Sequence, residues 1–426
     1  IPTKVLAHRA YLYHTAKSMP SFGLEGSLYR INWSRVQERK NTIVTTLRKG
    51  VEQLLKVNDI EVIRGQATLT ANRSINISSA NGSDGKTVEL ASKKIIIASG
   101  STAAAIPGVK IDEEKVLSSS GALNLKAIPN SIAIIGGGVI GLEFASIFNT
   151  LGSKVVVIEL LPRLLPAIDA EITELLCKEL QKQGVQIYTG AAVEEVTNIG
   201  NNMQVVFTQQ EQKKQVTATK VLLATGRLPR ISGLVLERAG IEHTSKGVTV
   251  NKHLETNCSG IFAAGDIIGG YQLAHVAFAE GEIAALNACA QLEGAAVYKE
   301  VDYRSVPACV YTNPEVAQVG LSEAEARQQY GNIKIGRFPL AANGKAFIEG
   351  QTAGIIKVIC EPAYGEIMGV CLIGPHATEL IAEAALAINN EITIDALVDT
   401  IHAHPTVSEI MREAGLVALG RPLHIG

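Results

Sequence analysis

The most regular hydrophobic patterning in the chain runs from Ser131 to Glu159. Ile132-Ala133-Ile134-Ile135 is a short unbroken apolar run, the pattern of a parallel strand buried on both faces. Ile140, Phe144, Ile147, Phe148 and Leu151 then recur at helical spacing, and Gly152 stands where a helix would stop. Lys154-Val155-Val156-Val157-Ile158 predicts a second strand ending on Glu159. Asp169 to Gln183 reads as an amphipathic helix through Ile172, Leu175, Leu176 and Leu180, stopped by Gly184. Further strands are predicted at Val185–Tyr188 and Met203–Phe207, and Lys220–Arg227 reads as a strand running into a Gly turn. Strand and helix alternating in this way predict an α/β fold around a parallel sheet.

The flanking pattern is different. Trp33–Lys56 predicts a long helix carrying Val36, Ile43, Leu47, Val51, Leu54 and Leu55, and Tyr11 onward reads as the tail of an earlier one. Ile60 to Leu90 predicts a small antiparallel sheet with a turn at Asn81-Gly82-Ser83-Asp84-Gly85. Ile95-Ile96-Ile97-Ala98-Ser99-Gly100-Ser101 repeats the strand-plus-Gly turn of Val221–Gly226, so two similar α/β domains are expected, one inserted into the other. Strands near Val316–Gly320, Lys334–Pro339 and Gly354–Cys360, then helices at Thr378–Ile388 and after Thr406, predict a third, C-terminal domain. The expected boundaries are 1–126, 127–250, 251–302 and 303–426.

Composition narrows the function. The 426 residues are 46% hydrophobic and 19% charged with net charge −2, which suits a globular protein and offers no basic surface for nucleic acid or an anionic membrane. No apolar run reaches the roughly 20 residues that a membrane-crossing helix needs. The six cysteines are scattered with no Cys-x-x-Cys or other metal-like spacing, so no metal site is expected and the thiols read as small buried hydrophobes of a reducing, cytoplasmic compartment.

Two segments carry chemistry. Gly136-Gly137-Gly138-Val139-Ile140-Gly141 fits Gly-x-Gly-x-x-Gly between a predicted strand and helix. Gly136 suits the tight turn, Gly138 the approach of a pyrophosphate to the backbone and Gly141 close packing of helix on sheet, with the helix N-terminus facing the phosphates. Glu159, ending the second strand, can accept hydrogen bonds from ribose hydroxyls and would repel a 2′-phosphate, so the cofactor is expected to be NAD. Arg163 is the nearby cation that could instead serve NADP, but Glu159 holds the better position. Near the C-terminus, Pro405 keeps His404 out of helical geometry, and Thr406-Val407-Ser408-Glu409 fits a capping box. Locally, His404 and Glu409 read first as a turn and a cap, with an imidazole oriented by an acid as the alternative. His402 lacks the Pro restraint and is assigned no role.

Taken together with Thr256-x6-Phe262-Ala263-Ala264-Gly265-Asp266, these motifs make the chain resemble the pyridine nucleotide–disulfide oxidoreductases from Ile1 to Gly426. The resemblance implies nested Rossmann-like FAD and NAD domains followed by an α+β dimerisation domain. It places Asp266 on the flavin's ribityl chain, the backbone of Gln272, Leu273, Ala274 and His275 at the flavin ring, and Gly65, Ser99, Gly100 and Ser101 along FAD. For NAD it implies Gly136, Gly137, Gly138, Val139, Ile140, Gly141, Glu143, Glu159, Val193 and Gly226. Lys4 and Glu143 would pair between the flavin and the nicotinamide. His404 would be the acid–base residue, oriented by Glu409 and facing the disulfide of a homodimeric partner.

In this family a Cys-x4-Cys redox pair directly precedes Ile-Pro-[Ser/Thr]-Lys, the motif of Ile1-Pro2-Thr3-Lys4, so the redox cysteines and the first FAD strand are expected ahead of Ile1. The implied reaction is oxidation of protein-bound dihydrolipoamide with reduction of NAD⁺. The lipoyl-bearing partner would belong to a 2-oxo acid dehydrogenase or glycine cleavage system, in the cytoplasm or, in a eukaryote, the mitochondrial matrix. A glutathione-type reductase, a soluble transhydrogenase and a non-catalytic dimeric scaffold stand as alternatives.

Overall fold

The computed structural model describes residues 1–26, 30–78, 87–295 and 298–425. The turn expected at Asn81–Gly85 lies outside them. The chain forms two compact units, one of residues 1–45, 105–226 and 304–426, the other of 46–104 and 227–303.

The first unit is built on a five-stranded parallel sheet in the order Val116–Leu117, Lys220–Leu223, Ser131–Ile135, Lys154–Ile158, Gln186–Tyr188. Ser131–Ile135 lies at its centre, which is why Ile132, Ala133 and Ile134 are fully buried. The period of two along a strand divides them between two cores. Ile132 and Ile134 pack with Leu142, Phe144 and Phe148 of the helix Val139–Thr150 and with Leu176 and Leu180 of the helix Ala170–Lys182. Ala133 and Ile135 face Met203, Val205 and Phe207 of a three-stranded antiparallel sheet, Ala191–Ile199, Asn202–Gln209 and Gln212–Ala218. Two of those three strands carry no strong hydrophobic signal because their outer face meets water. Val116–Leu117 joins this parallel sheet from ahead of the boundary expected at 127, and the compact units change at 104/105, 226/227 and 303/304.

A second five-stranded sheet, antiparallel throughout, follows within the same unit: Ala308–Val310, Glu315–Gly320, Ile367–Gly374, Ile355–Cys360, Lys334–Pro339. The central strand Ile367–Gly374, unmarked in the sequence reading, is buried at all eight positions. Helices Ala377–Asn389 and Glu409–Ala418 cover this sheet. One further residue is out of character for a sheet interior. Lys357 is 1% exposed, and its Nζ lies 2.8 Å from Asp169, 2.7 Å from Glu171 and 3.0 Å from Glu323.

The second unit contains the antiparallel sheet Gln66–Leu69, Ile75–Ser78, Thr87–Leu90 and a parallel pair, Ile95–Ile97 with Ile261–Ala263. Its core gathers Leu69, Ile95, Ile97, Leu236, Ile241, Ile261 and Ile267. The long helix Trp33–Val57 forms as expected, yet Leu47, Val51 and Leu54 stay about half or more exposed, at 49%, 57% and 62%.

Burial opposes ionisation of Glu171 and Glu323, but hydrogen bonds from Lys357, with Arg337 for Glu171 and Arg327 for Glu323, outweigh it and hold both carboxyls below their ordinary range. Groups shifted in this direction stabilise the fold above the unfolded pKa of about 4.3 and lose that contribution as pH falls through the folded value. The urea midpoint should therefore fall between pH 6 and pH 3, and by less in an E171Q/E323Q variant; equal falls in both proteins would contradict this origin.

Candidate active site

The parallel sheet determines where a dinucleotide could bind. At the end of Ser131–Ile135 the chain turns at Gly136, whose φ of +113° is open to glycine but strained for other residues. A Cβ on Gly136 would lie 2.3 Å from the carbonyl oxygen of Ala224, and one on Gly141 2.0 Å from that of Gly136. Both glycines are therefore required by the closeness of strand, turn and helix. Gly138 differs: a Cβ there meets nothing within 4 Å. It is the N-cap of the helix Val139–Thr150 and offers no capping side chain, leaving a cradle of the kind a pyrophosphate fills. Val139 is exposed at the helix start and Ile140 half-buried behind it.

Glu159 is 8% exposed, at the adjoining strand end. Its Oε1 accepts from the Leu161 N–H at 2.7 Å and its Oε2 from the Gly137 N–H, so the carboxylate is locked toward the glycine turn. Gly226, at φ +119°, follows the Ala224–Thr225 backbone that lies against Gly136 just beyond Lys220–Leu223. Val193 is half-buried in the antiparallel sheet, packed with the core that includes Ile135 and Ile158. Arg163 turns inward: Nη1 donates to the Ile168 carbonyl at 2.8 Å and Nη2 to that of Pro166. It braces its own loop and does not reach toward the glycine turn, where Glu159 stands. These residues fit NAD.

Glu143, in the second turn of the same helix, is 3% exposed rather than solvated. Lys4 Nζ donates to both its oxygens at 2.6 and 2.7 Å, and the Tyr311 N–H donates to Oε1 at 3.2 Å. Lys4 also sits 4.2 Å above the Tyr311 ring, a cation–π contact the sequence reading missed.

His404 and Glu409 meet on the C-terminal domain. The His404–Pro405 peptide is cis, and the ring's Nδ1 lies 2.9 Å from Glu409 Oε1 while the side chain is 80% exposed. The other oxygen, Oε2, accepts from the Thr406 N–H at 2.9 Å. This is half of the expected capping box. The reciprocal half is missing because Thr406 Oγ1 turns to the Ala403 carbonyl and to Ser408, and the helix Glu409–Ala418 begins later, with Ser408 as N-cap. Burial opposes ionisation of Glu409, but the Thr406 and His404 hydrogen bonds outweigh it and keep the acid below its ordinary pKa. The arrangement leaves Nε2 of an oriented imidazole toward solvent. His402, by contrast, is held at both nitrogens, by Glu383 at 2.8 Å and the Thr400 carbonyl at 3.1 Å.

In the second unit Asp266 follows the strand Ile261–Ala263. Ser101 Oγ donates to Asp266 Oδ2, and Arg227 Nε donates to Ser101 Oγ at 2.7 Å while lying 3.8 Å from the carboxylate. Arg227 had no role in the sequence reading, although it directly follows the Gly226 turn. Ser99 and Gly100 are both joined to Arg230, through the Ser99 hydroxyl and the Gly100 carbonyl at 2.9 Å each. Gln272 has φ +50°, and Leu273 is the N-cap of the helix Ala274–Glu293, with Ala274 and His275 exposed in its first turn. The buried Glu280 accepts from the Gly265 N–H at 2.7 Å and from Tyr303 Oη at 2.9 Å, steadying the turn before Asp266. Gly65 is a glycine for packing, since a Cβ would lie 2.4 Å from Ile77. An acceptor carboxylate on a strand end beside a helix N-terminus fits the ribityl and ring end of FAD.

All six cysteines are free thiols. Cys258, Cys360 and Cys371 are buried and Cys177 and Cys309 half-buried, whereas Cys289 is exposed on the outer face of its helix, contrary to the expectation of six buried thiols. Burial pushes Cys309 up to about 11 and Cys360 to about 12, so neither forms a ready thiolate. No cluster that could hold a metal is found among the described residues.

Comparison with known proteins agrees with this geometry. Residues 1–281 match the family model for pyridine nucleotide-disulphide oxidoreductases, and residues 306–415 match the dimerisation domain of that family. A dihydrolipoyl dehydrogenase of Bacillus subtilis (strain 168) is 41% identical over 426 residues, spanning 100% of this chain and 90% of the relative. The mitochondrial dihydrolipoyl dehydrogenase 2 of Arabidopsis thaliana is 36% identical over 430 residues, spanning 100% and 83%. Among solved structures, LpdA from Mycobacterium tuberculosis matches with a TM-score of 0.88 at 27% identity, over 97% of this chain and 89% of that one. The HOCl-induced flavoprotein disulfide reductase RclA from Escherichia coli matches at 0.82 and 30% identity, over 96% and 88%.

The glycine contacts separate two kinds of substitution. Gly138→Ala should leave the melting temperature within about 2 °C yet weaken NADH binding at least tenfold, whereas Gly141→Ala should lower stability as well. Thermal melts paired with NADH titration distinguish these; unchanged NADH affinity in folded Gly138→Ala would contradict the cradle.

Proposed function

Because the chain belongs to the pyridine nucleotide-disulphide oxidoreductase family, we propose that it catalyses the flavin-dependent oxidation of dihydrolipoamide with reduction of NAD⁺. The relatives at 36–41% identity across the whole chain carry this activity in their names, and the dimerisation domain at 306–415 makes the working enzyme a homodimer. The alternatives are weaker: Glu159, locked beside the glycine turn, opposes the 2′-phosphate of NADPH, and neither a transhydrogenase nor a scaffold accounts for an oriented His404.

The observation that carries the reading is the His404–Glu409 pair, 2.9 Å apart on an otherwise exposed ring. In this reading Nε2 takes the proton of a substrate thiol as it becomes a thiolate, and Glu409 steadies the imidazolium at Nδ1. The substrate dithiol loses two electrons and two protons. NAD⁺ gains a hydride and one proton is released. FAD, when bound near Asp266, supplies the two-electron relay between thiol and nicotinamide. Gly136 and Gly141 shape the turn in which Gly138 receives the dinucleotide pyrophosphate, Glu159 holds its ribose, and the Lys4–Glu143 pair orders the helix from which the nicotinamide pocket is built.

The thiol donor in this reading is a lipoyl group carried on a protein of a 2-oxo acid dehydrogenase or glycine cleavage system. No helix among the described residues is long and apolar enough to cross a membrane, and a cytoplasmic or matrix location fits the partner class.

His404→Gln should lower dihydrolipoamide turnover by roughly 10²–10⁴-fold, the usual size of a general acid–base contribution. Flavin absorbance and NADH affinity should stay as in the wild type. Ordinary dihydrolipoamide turnover in this variant would sink the assignment.

A further inference from the structure

The buried lysine of the C-terminal sheet has a connection to the dinucleotide site. Lys357 stands mid-strand in Ile355–Cys360, opposite Arg337 of the neighbouring strand. Lys357 reaches Asp169, Glu171 and Glu323, and Arg337 adds contacts to Glu171 at 2.9 Å and to Glu323 at 2.5 Å. Two cations thus face three carboxylates. Asp169 is the innermost of these, 3% exposed, and is held on every side. Its N–H donates to Gln318 Oε1 at 2.7 Å, its Oδ1 accepts from the Glu171 N–H at 3.1 Å, and its Oδ2 accepts from the Glu323 N–H at 3.2 Å.

Asp169 also ends the loop that begins at Glu159. That loop is tied to the glycine turn at its other end: Leu161 N–H to Glu159, Leu165 N–H to the Gly137 carbonyl at 3.1 Å, and Leu164 filling the space that a Gly137 Cβ would need. Between the two ends, Arg163 closes the loop on the carbonyls of Pro166 and Ile168. A well-packed apolar side chain in place of a buried ion pair is often as stable or more so, so stability alone does not call for a lysine at 357. A fixed attachment point for the loop does.

We propose that Lys357, acting through Asp169, is a positioning residue for NAD: it anchors the loop from 160 to 169 in the C-terminal sheet and so holds Glu159 and Gly137 in the geometry that receives the adenosine ribose. Gln318 is the second anchor. The proposal rests on reading Gly136–Glu159 as the NAD site, and it makes dinucleotide affinity depend on the domain that forms the dimer.

The test uses the full-length holoenzyme, with NADH binding measured by calorimetric titration in Lys357→Met, Gln318→Met and, as reference, Glu159→Ala. Lys357→Met and Gln318→Met should each weaken NADH binding by about 5–50-fold, the range of couplings of this type. The KM for NAD⁺ should rise while that for dihydrolipoamide stays put, a split that a general loss of stability would not produce. If Lys357→Met does not fold, Gln318→Met carries the test alone, since it leaves the charge balance intact. NADH affinity within twofold of wild type in a folded anchor variant overturns the proposal. Unchanged affinity in Glu159→Ala overturns the NAD-site reading beneath it.

Discussion

The closeness of a strand, a turn and a helix at Gly136 and Gly141 is the constraint from which the catalytic half of this protein follows. With 2.0 Å between a would-be Gly141 Cβ and the Gly136 carbonyl, no side chain fits there without moving backbone. The absence of side chains lets the helix Val139–Thr150 sit down on the sheet, and this brings its uncapped N-terminus to the sheet's carboxyl edge. The same packing buries Glu143 far enough that it needs Lys4, and it sets the turn beside which Glu159 is clamped. Three features that look separate in sequence are therefore consequences of one contact. A bound dinucleotide would meet a backbone surface already formed, with little ordering left to do on binding.

The His404 end is organised differently, by one carboxylate divided between two donors. Glu409 gives one oxygen to the Thr406 N–H and the other to His404. The backbone contact fixes the carboxylate, and the carboxylate fixes the ring. A local capping interaction and an oriented imidazole are thus a single device. The missing half of the box involves the backbone N–H of Glu409 and not its carboxylate, so both carboxylate oxygens keep their contacts while Thr406 Oγ1 is turned to Ala403 and Ser408.

What the sequence made legible were features with a strong local period or a steric demand. The strand Ser131–Ile135, the helices Val139–Thr150 and Ala170–Lys182 and the glycine turn are of this kind, since each is dictated by its own residues and their immediate neighbours. Asp169 was placed at the start of its helix, where it does cap, through Oδ1. Less legible was the antiparallel sheet that covers the second face of the parallel one. Its hairpin turns at Gln210 and Glu211, both at positive φ, a geometry usually announced by Asn-Gly or Gly, and its outward positions are Gln, Lys and Glu. Tyr311, Arg227 and Lys357 carried no local signal at all. Each acquires meaning only from residues tens to hundreds of positions away, or from a register no single strand reveals.

The buried charges show why this last class resists prediction and why it has functional weight. Hydrophobic burial is non-directional and tolerates exchange, so an apolar residue at 357 would fit the strand's pattern better than lysine does. An ion pair in the interior is held only where partners are supplied at the correct distance, and Lys357 draws three of them from two different parts of the chain. It therefore registers the nucleotide-binding half against the C-terminal sheet more sharply than the apolar core between them could. That core, in which Val310, Val316, Cys371 and Ile373 pack with Leu176 and Leu180, supplies cohesion over a broad surface. The charge cluster supplies alignment at a point. A protein that carries its oriented imidazole on one domain and its glycine turn on another needs both, because a domain free to slide on its neighbour would keep its stability and lose the alignment of the two.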